Sequence, residues 1–561
     1  MRLSRRRFLT GSAVAALAVA AGKKLPLKNK HSALVSGNPL LIPSEISGGN
    51  LTIATATAQI FSGSNTNILS INGSYPAPTI RIKKSQTFSA HILNNLADDL
   101  VLHWHGQHVP AVMDGHPKYA IKSGQSADIT FPVINRAGTY FYHSHTDMMT
   151  AEQVYRGLAG MFIVDDDEDG ALPLPRGMFD VPLVLSDKRF DTNKQIVYSP
   201  TMTDLMNGYV GETILVNGTS DPFLSVASTL YRFRILNASN ARIYQIALSD
   251  NSSFMIIGSD GGLLETPLSA TSCFLSPAER VDVLIDFSKY QTGSSLTLKS
   301  LPFSVDVTPY TPLPQGAAFD ILRFDINATG NSHSQIPAAL SSIIKYSRAD
   351  AVNTLQFVLG TDGMNHTINS LKFQMDRIDN TIPFNTLEVW TFDNTQTTNI
   401  HPMHVHGTQF QVASRSFGDL LSSDSGWKDT VMVRGGEAMD VLVKFADYEG
   451  IYLVHCHNLE HEDHGMMSNF LVSKTNSVDQ DSSTLAELSV SPNPANDHAN
   501  IRIPKADSSR TVTITDIHGK KIKQFSVAGD VLSVNVSVRS FPSGEYFIRV
   551  DGETVTMQVI H

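Results

Sequence analysis

The chain has 561 residues, of which 42% are hydrophobic and 17% charged, enough apolar material for roughly four domains with packed cores. A formal net charge of −10, with no block of lysine or arginine, excludes a nucleic-acid binder, whose footprint is a basic patch.

At the N-terminus, Ser4-Arg5-Arg6-Arg7-Phe8-Leu9-Thr10 resembles the twin-arginine export motif. An apolar stretch from Ala13 to Ala21 follows, with a cleavage site near Ala18-Val19-Ala20, so residues 1–22 read as a signal peptide and not as structure. That stretch is shorter than the ~20 residues a membrane-spanning helix needs, and no other segment reads as transmembrane. Export through this route leads first to the periplasm.

Three turns recur along the chain. Ile71-Asn72-Gly73, Val216-Asn217-Gly218 and Ile368-Asn369-Ser370 each sit between two apolar strands. Between them run alternating segments such as Tyr231–Leu236 and Val281–Phe287, suited to sandwich strands. The natural count is three β-sandwich domains, over residues 45–170, 171–330 and 331–475.

Four histidine clusters fall within this region. They are His103-Trp104-His105-Gly106, His143-Ser144-His145, His401-Pro402-Met403-His404-Val405-His406-Gly407, and the run from His455 to Met466. On a strand, the two rings of each His-x-His pair share one face, the geometry for gripping one metal or two adjacent ones. The last run holds Cys456, His461 and Met466, three of the four ligand types of a blue-copper centre: two imidazoles and a thiolate in a plane, with a weak axial thioether. If Ile451–His457 is a strand, Cys456 faces one metal site while His455 and His457 face another. Zinc fits poorly, because structural zinc favours paired cysteines and catalytic zinc a single open triad.

The ordered set H-x-H-G, H-x-H, H-P-x-H-x-H-G and H-C-H-x3-H-x4-M resembles the four copper motifs of the multicopper oxidases, over residues about 45 to 475. The segment 455–467 is most similar to bacterial cuprous and laccase-type oxidases and to bilirubin oxidases. Gly426-Trp427-Lys428-Asp429-Thr430 and Arg156-Gly157-Leu158-Ala159-Gly160 point to the bacterial branch. The resemblance implies an all-β fold of three cupredoxin-like Greek-key sandwiches with four copper ions. It places type 1 copper on His401, Cys456 and His461 with Met466 axial, and type 2 on His103 and His404. The type 3 pair falls to His105, His143, His145, His406, His455 and His457. It further implies that ligands come from the first and third domains with the second as a spacer, that a donor gives electrons singly at an exposed type 1 copper, and that dioxygen becomes water at the trinuclear cluster.

Proton relay falls, by the same resemblance, to Asp114 and Glu462. Read from composition alone, Met113-Asp114-Gly115 is a turn and Glu462 belongs to a solvated acidic run, while Asp463 and His464 read as surface residues or as residues that support the ligands from behind. Pairing the two cysteines would destroy the copper site, so Cys273 is expected as a buried free thiol.

Cuprous oxidases of the family carry a methionine-rich insertion, together with an acidic residue and a methionine four and two positions ahead of the first type 1 histidine. Here only Met364 and Met375 lie between residues 330 and 400, and the two positions are Thr397 and Asn399. The expected donors are phenols, aromatic amines or bilirubin-like compounds, with Cu(I) second. A copper-free structural protein of the same fold is the alternative of another class.

Residues 476–489, rich in Ser, Asp and Thr, read as a linker. Beyond it, residues 490–561 contain Ser491-Pro492-Asn493-Pro494-Ala495-Asn496-Asp497, Ile517-His518-Gly519-Lys520 and Phe541-Pro542-Ser543-Gly544-Glu545-Tyr546. They resemble the small β-sandwich sorting domain of the type IX secretion system, which implies recognition by secretion machinery and delivery to the cell surface or medium. A generic immunoglobulin-like module is the other reading of such a segment.

Overall fold

The computed structural model describes residues 37–305, 311–330, 333–474 and 488–561, apart from 492, 497, 504–505, 507 and 530–532. The signal peptide at 1–22 and nearly all of the 476–489 linker lie outside the described residues. The chain divides into two compact units, Met1–Asn476 and Ser477–His561. No helix among the described residues is long and apolar enough to cross a membrane.

The larger unit holds three two-sheet sandwiches. In the first, a four-stranded sheet faces a five-stranded sheet that ends in Ala159–Asp165, Gly138–Ser144 and Leu102–His103. Leu51, Ile53 and Phe88 of one sheet meet Ile80, Tyr140 and Phe162 of the other in its core. The second pairs a seven-stranded with a six-stranded sheet, and the third pairs two five-stranded sheets. Asn38–Pro39 lies parallel to Pro222–Ser228, so the described chain starts on the second sandwich before it builds the first.

The recurring turns are one device used three times. Asn72, Asn217 and Asn369 all adopt left-handed backbone, with φ of 55°, 50° and 54°. A short amide side chain tolerates this conformation by bonding nearby main chain. Each Oδ1 accepts one strand N–H, from Thr52, Val184 and Val358 at 2.8, 2.8 and 2.7 Å. Each Nδ2 donates to the carbonyl two residues earlier on that strand, of Asn50, Pro182 and Gln356 at 2.9, 2.9 and 3.0 Å.

The strands expected at Tyr231–Leu236 and Val281–Phe287 are Leu230–Asn237 and Arg280–Asp286, antiparallel neighbours in the second sandwich. Strict alternation breaks down there, because every residue of Leu230–Asn237 is buried, including Arg232 and Arg234. Both are paired: Arg232 reaches Asp282 at 2.5 Å and Asp169 at 2.7 Å, and Arg234 reaches Asp180 at 2.8 Å. Burial alone raises the carboxyls of Asp169 and Asp180, but Arg232 and Arg234 beside them hold both below the usual range. A depressed carboxylate stabilises the fold above its unfolded pKa of about 4, and that contribution is lost as the pH falls. The urea midpoint of the apoprotein should therefore drop as the pH goes from about 5 towards 2. A flat midpoint across that window would show that the network contributes nothing.

The smaller unit is also a sandwich, with a three-stranded sheet and a four-stranded sheet. Ala499, Ile501, Ile514, Tyr546, Ile548 and Met557 form its core.

Candidate functional site

Cross-strand register brings the histidine clusters together. In the first sandwich His103 pairs with His143, and in the third His404 pairs with His455 while Met403 pairs with Cys456. Alternation then puts His401, Met403 and Cys456 on one face of the third-domain sheet and His404 and His455 on the other. The expected strand ends one residue early, at Gly450–Cys456, with His457 just beyond it.

On the first face, Cys456 Sγ lies 3.5 Å from His401 Nδ1 and 3.7 Å from His461 Nδ1, and the two nitrogens are 3.1 Å apart. Ligands about 2.0 to 2.3 Å from one metal in a trigonal plane lie roughly 3.5 to 3.7 Å from each other; the two sulfur–nitrogen separations match this and the closer nitrogen pair corresponds to a narrower angle, so the triad fits a single ion. Asn458 N–H donates to the sulfur at 3.4 Å. Met466 is buried in the same core, and its main chain bridges the others: Cys456 N–H donates to its carbonyl at 3.0 Å and its own N–H to His461 O at 2.9 Å. Burial pushes the Cys456 thiol above its ordinary value, so a thiolate there calls for a cation.

On the second face eight histidines converge from two domains. His103 and His404 bring their Nε2 atoms to 3.3 Å. His105, His143 and His457 form one buried triad, with His143 and His457 Nε2 3.3 Å apart. His145, His406 and His455 form another, His455 Nε2 lying 3.3 Å from His145 and 3.0 Å from His406. Burial holds His103, His105, His404, His406 and His457 well below the usual imidazole range, and His143 and His145 down to about 4 and about 3. Neutral imidazoles aimed at one another in this way are lone pairs waiting for a cation.

Both candidate relay acids are buried beside this cluster. Asp114 closes the short turn Ala111–Met113, in line with a turn reading, yet its Oδ2 accepts from His406 Nδ1 at 2.6 Å and its carbonyl from His103 Nδ1 at 2.5 Å. Glu462 is not solvated: it sits in the helix Leu459–Asp463, with Oε1 3.6 Å from His145 Nε2 and Oε2 3.1 Å from His455 Nδ1. Burial by itself raises Glu462, but His145 and His455 pull it down to about 2. Asp463 turns inward and accepts the N–H groups of Thr150 and Ala151 at 3.1 and 2.9 Å, while His464 bonds Glu460 O at 2.8 Å. Cys273 is the expected buried free thiol, pushed up to about 12 by burial.

Two expectations need correction. The Cys456 site is not exposed, since His401, Cys456, His461 and Met466 are all buried. A second-domain helix, Met202–Asn207, covers it: His461 Nε2 donates to Met206 O at 3.1 Å, and Asn399 Nδ2 donates to the same carbonyl at 2.8 Å. Nor is the second domain a mere spacer, for its Arg280 grips Asp429, and Asp429 Oδ1 meets His105 Nε2 at 3.0 Å. Sequence reasoning also missed His366, which stacks on His461 at 3.8 Å and donates to Leu205 O at 3.1 Å. A lone histidine in a hairpin carries no signal. Asp429 lay within the noted Gly426–Thr430 run.

Models of the multicopper oxidase family match residues 52–169, 180–294 and 346–476, and a secretion system C-terminal sorting domain matches 489–560. A multicopper oxidase of Staphylococcus aureus is 34% identical over 420 residues, 74% of this chain and 86% of the relative. A laccase of Bacillus subtilis is 30% identical over 465 residues, 72% of this chain and 89% of the relative. Among solved structures, the McoA multicopper oxidase of Aquifex aeolicus aligns with a TM-score of 0.73 and 36% identity, over 78% of this chain and 100% of that one. With three matched domains and a buried imidazole-and-thiol site of the right chemistry, the chain belongs to the multicopper oxidases, copper-dependent oxidoreductases that use oxygen as acceptor, and it carries a C-terminal type IX sorting domain.

Proposed function

We propose that the chain is a laccase-like oxidase that takes single electrons from phenolic, aromatic-amine or bilirubin-like donors and reduces dioxygen to water. The observation that carries this reading is the position of Cys456, whose sulfur belongs to one site while its sequence neighbours His455 and His457 belong to the two triads of the other. His401, Cys456 and His461 would hold type 1 copper, with Met466 as its weak thioether ligand. His103 and His404 would hold type 2, and the two triads would hold one type 3 ion each, four in all. Copper bound there would supply the one-electron redox chemistry of both sites.

The chain's own residues do the rest. Cys456 carries electrons through one peptide unit on either side. Asp114 Oδ2, beside His406, and Glu462, beside His455, pass protons towards the buried cluster. The twin-arginine leader takes the folded chain to the periplasm, and the sorting domain directs it on to the surface or medium.

Thr397 and Asn399 favour aromatic donors over Cu(I). Thr397 Oγ1 lies 3.3 Å from His401 Nε2, and the Asn399 amide is spent on Met206 O, so neither offers a soft or anionic ligand. On the copper-loaded protein, steady-state oxygen uptake should show a higher kcat/KM for a phenol such as 2,6-dimethoxyphenol than for Cu(I). A strong preference for Cu(I) would overturn the donor assignment, and a colourless protein without oxygen uptake would favour the structural alternative.

A further inference from the structure

Seven of the eight histidines on the cluster face turn Nε2 inward. Where their Nδ1 atoms have partners these include acceptors: Asp114 O for His103, Asp429 O for His404, Asp114 Oδ2 for His406, Ser144 O for His143 and Cys456 O for His455. His105 is reversed. Its Nε2 lies 3.0 Å from Asp429 Oδ1 and 3.1 Å from Thr430 Oγ1, whereas its buried Nδ1 has no hydrogen-bond partner among the described residues. An acceptor at Nε2 fixes the proton there and leaves the lone pair on Nδ1.

Asp429 is in turn fixed by a residue of another domain. Arg280, fully buried at the start of the strand Arg280–Asp286, clamps both oxygens: Nη1 to Oδ1 at 2.7 Å and Nη2 to Oδ2 at 2.5 Å. Its remaining donors go to the carbonyls of Thr139, Ala278 and Asp260 at 3.0, 2.9 and 2.9 Å, so all five N–H groups are used. Gly106 makes room for the pair. A Cβ there would come within 2.5 Å of Asp429 Oδ2 and 2.9 Å of Arg280 Nη2.

We infer that Arg280, through Asp429, is a positioning residue of the oxygen-reducing cluster: it sets the tautomer and tilt of His105 so that Nδ1 is the ligating atom, which makes the second domain part of that centre. Lysine cannot replace it, because a point charge holds one carboxylate oxygen and leaves the other free to swing. This rests on the copper assignment above, and the test separates the two.

The full-length parent, Arg280→Lys and Asp429→Asn are loaded with copper. Copper per chain, the blue thiolate band, the near-ultraviolet absorption of the coupled pair and apoprotein melting are then compared. Both variants should keep the blue band that reports Cys456 and still fold as apoproteins, with melting lowered because a buried ion pair is weakened. They should hold cluster copper about 10- to 100-fold less tightly, with Arg280→Lys the milder. Variants that retain cluster copper as tightly as the parent overturn the inference. Loss of the blue band in equal measure, or collapse of both apoproteins, also overturns it by showing a general structural role. If Arg280→Lys alone fails to fold, the isosteric Asp429→Asn carries the test. A parent chain that takes up no cluster copper refutes the underlying assignment instead.

Discussion

Cys456→Ser should lose the blue band completely and reduce turnover by more than about 100-fold, beyond what changes outside a ligand set usually achieve. The residue is fully buried, with its sulfur 3.5 and 3.7 Å from two imidazole nitrogens and its N–H tied to Met466 O. Serine preserves that main-chain bond and nearly the same volume, so the apoprotein should still fold. What it removes is the soft, polarizable donor that couples the two faces of one strand. The decisive comparison is oxygen uptake against copper at the eight-histidine cluster: cluster copper should persist while uptake stops. Turnover that survives the substitution would refute Cys456 as the electron bridge.

Glu462→Gln should cost about 10²- to 10⁴-fold in kcat, the usual range for removing a positioned proton-transfer group. Its two oxygens stand 3.6 and 3.1 Å from His145 and His455 in a pocket closed to solvent, and the amide keeps the shape but cannot exchange the proton. Copper content and the blue band should be unchanged, and donor should still bleach that band at the parental rate. Reoxidation by oxygen should be the slowed step. If multiple turnovers proceed at full speed, proton delivery runs elsewhere, with Asp114 the next residue to vary.

The histidine clusters were legible in the sequence because strand periodicity forces every second side chain to one face, and four His-x-His pairs leave little else to do. Their division into two triads was not. It depends on how strands such as Leu102–His103 and His401–Val405, about 300 residues apart, meet across a domain interface. The cover over His461 was equally hidden, because Leu205 and Met206 act through their carbonyls, and a main-chain acceptor leaves no mark in a residue pattern. Arg280 was invisible for another reason: it opens a strand whose alternation looks ordinary, while its partner Asp429 lies in a separate segment 149 residues away.

The asparagine braces at positions 72, 217 and 369 give the three sandwiches one shared corner. The same two bonds run from the same left-handed residue to the same pair of main-chain groups, so each sandwich is pinned alike whatever its other strands carry. The outer two hold the metal-gathering histidines and the middle one does not. With Arg280 and the main chain of Met206, the middle sandwich is instead a buttress for its neighbours' ligands.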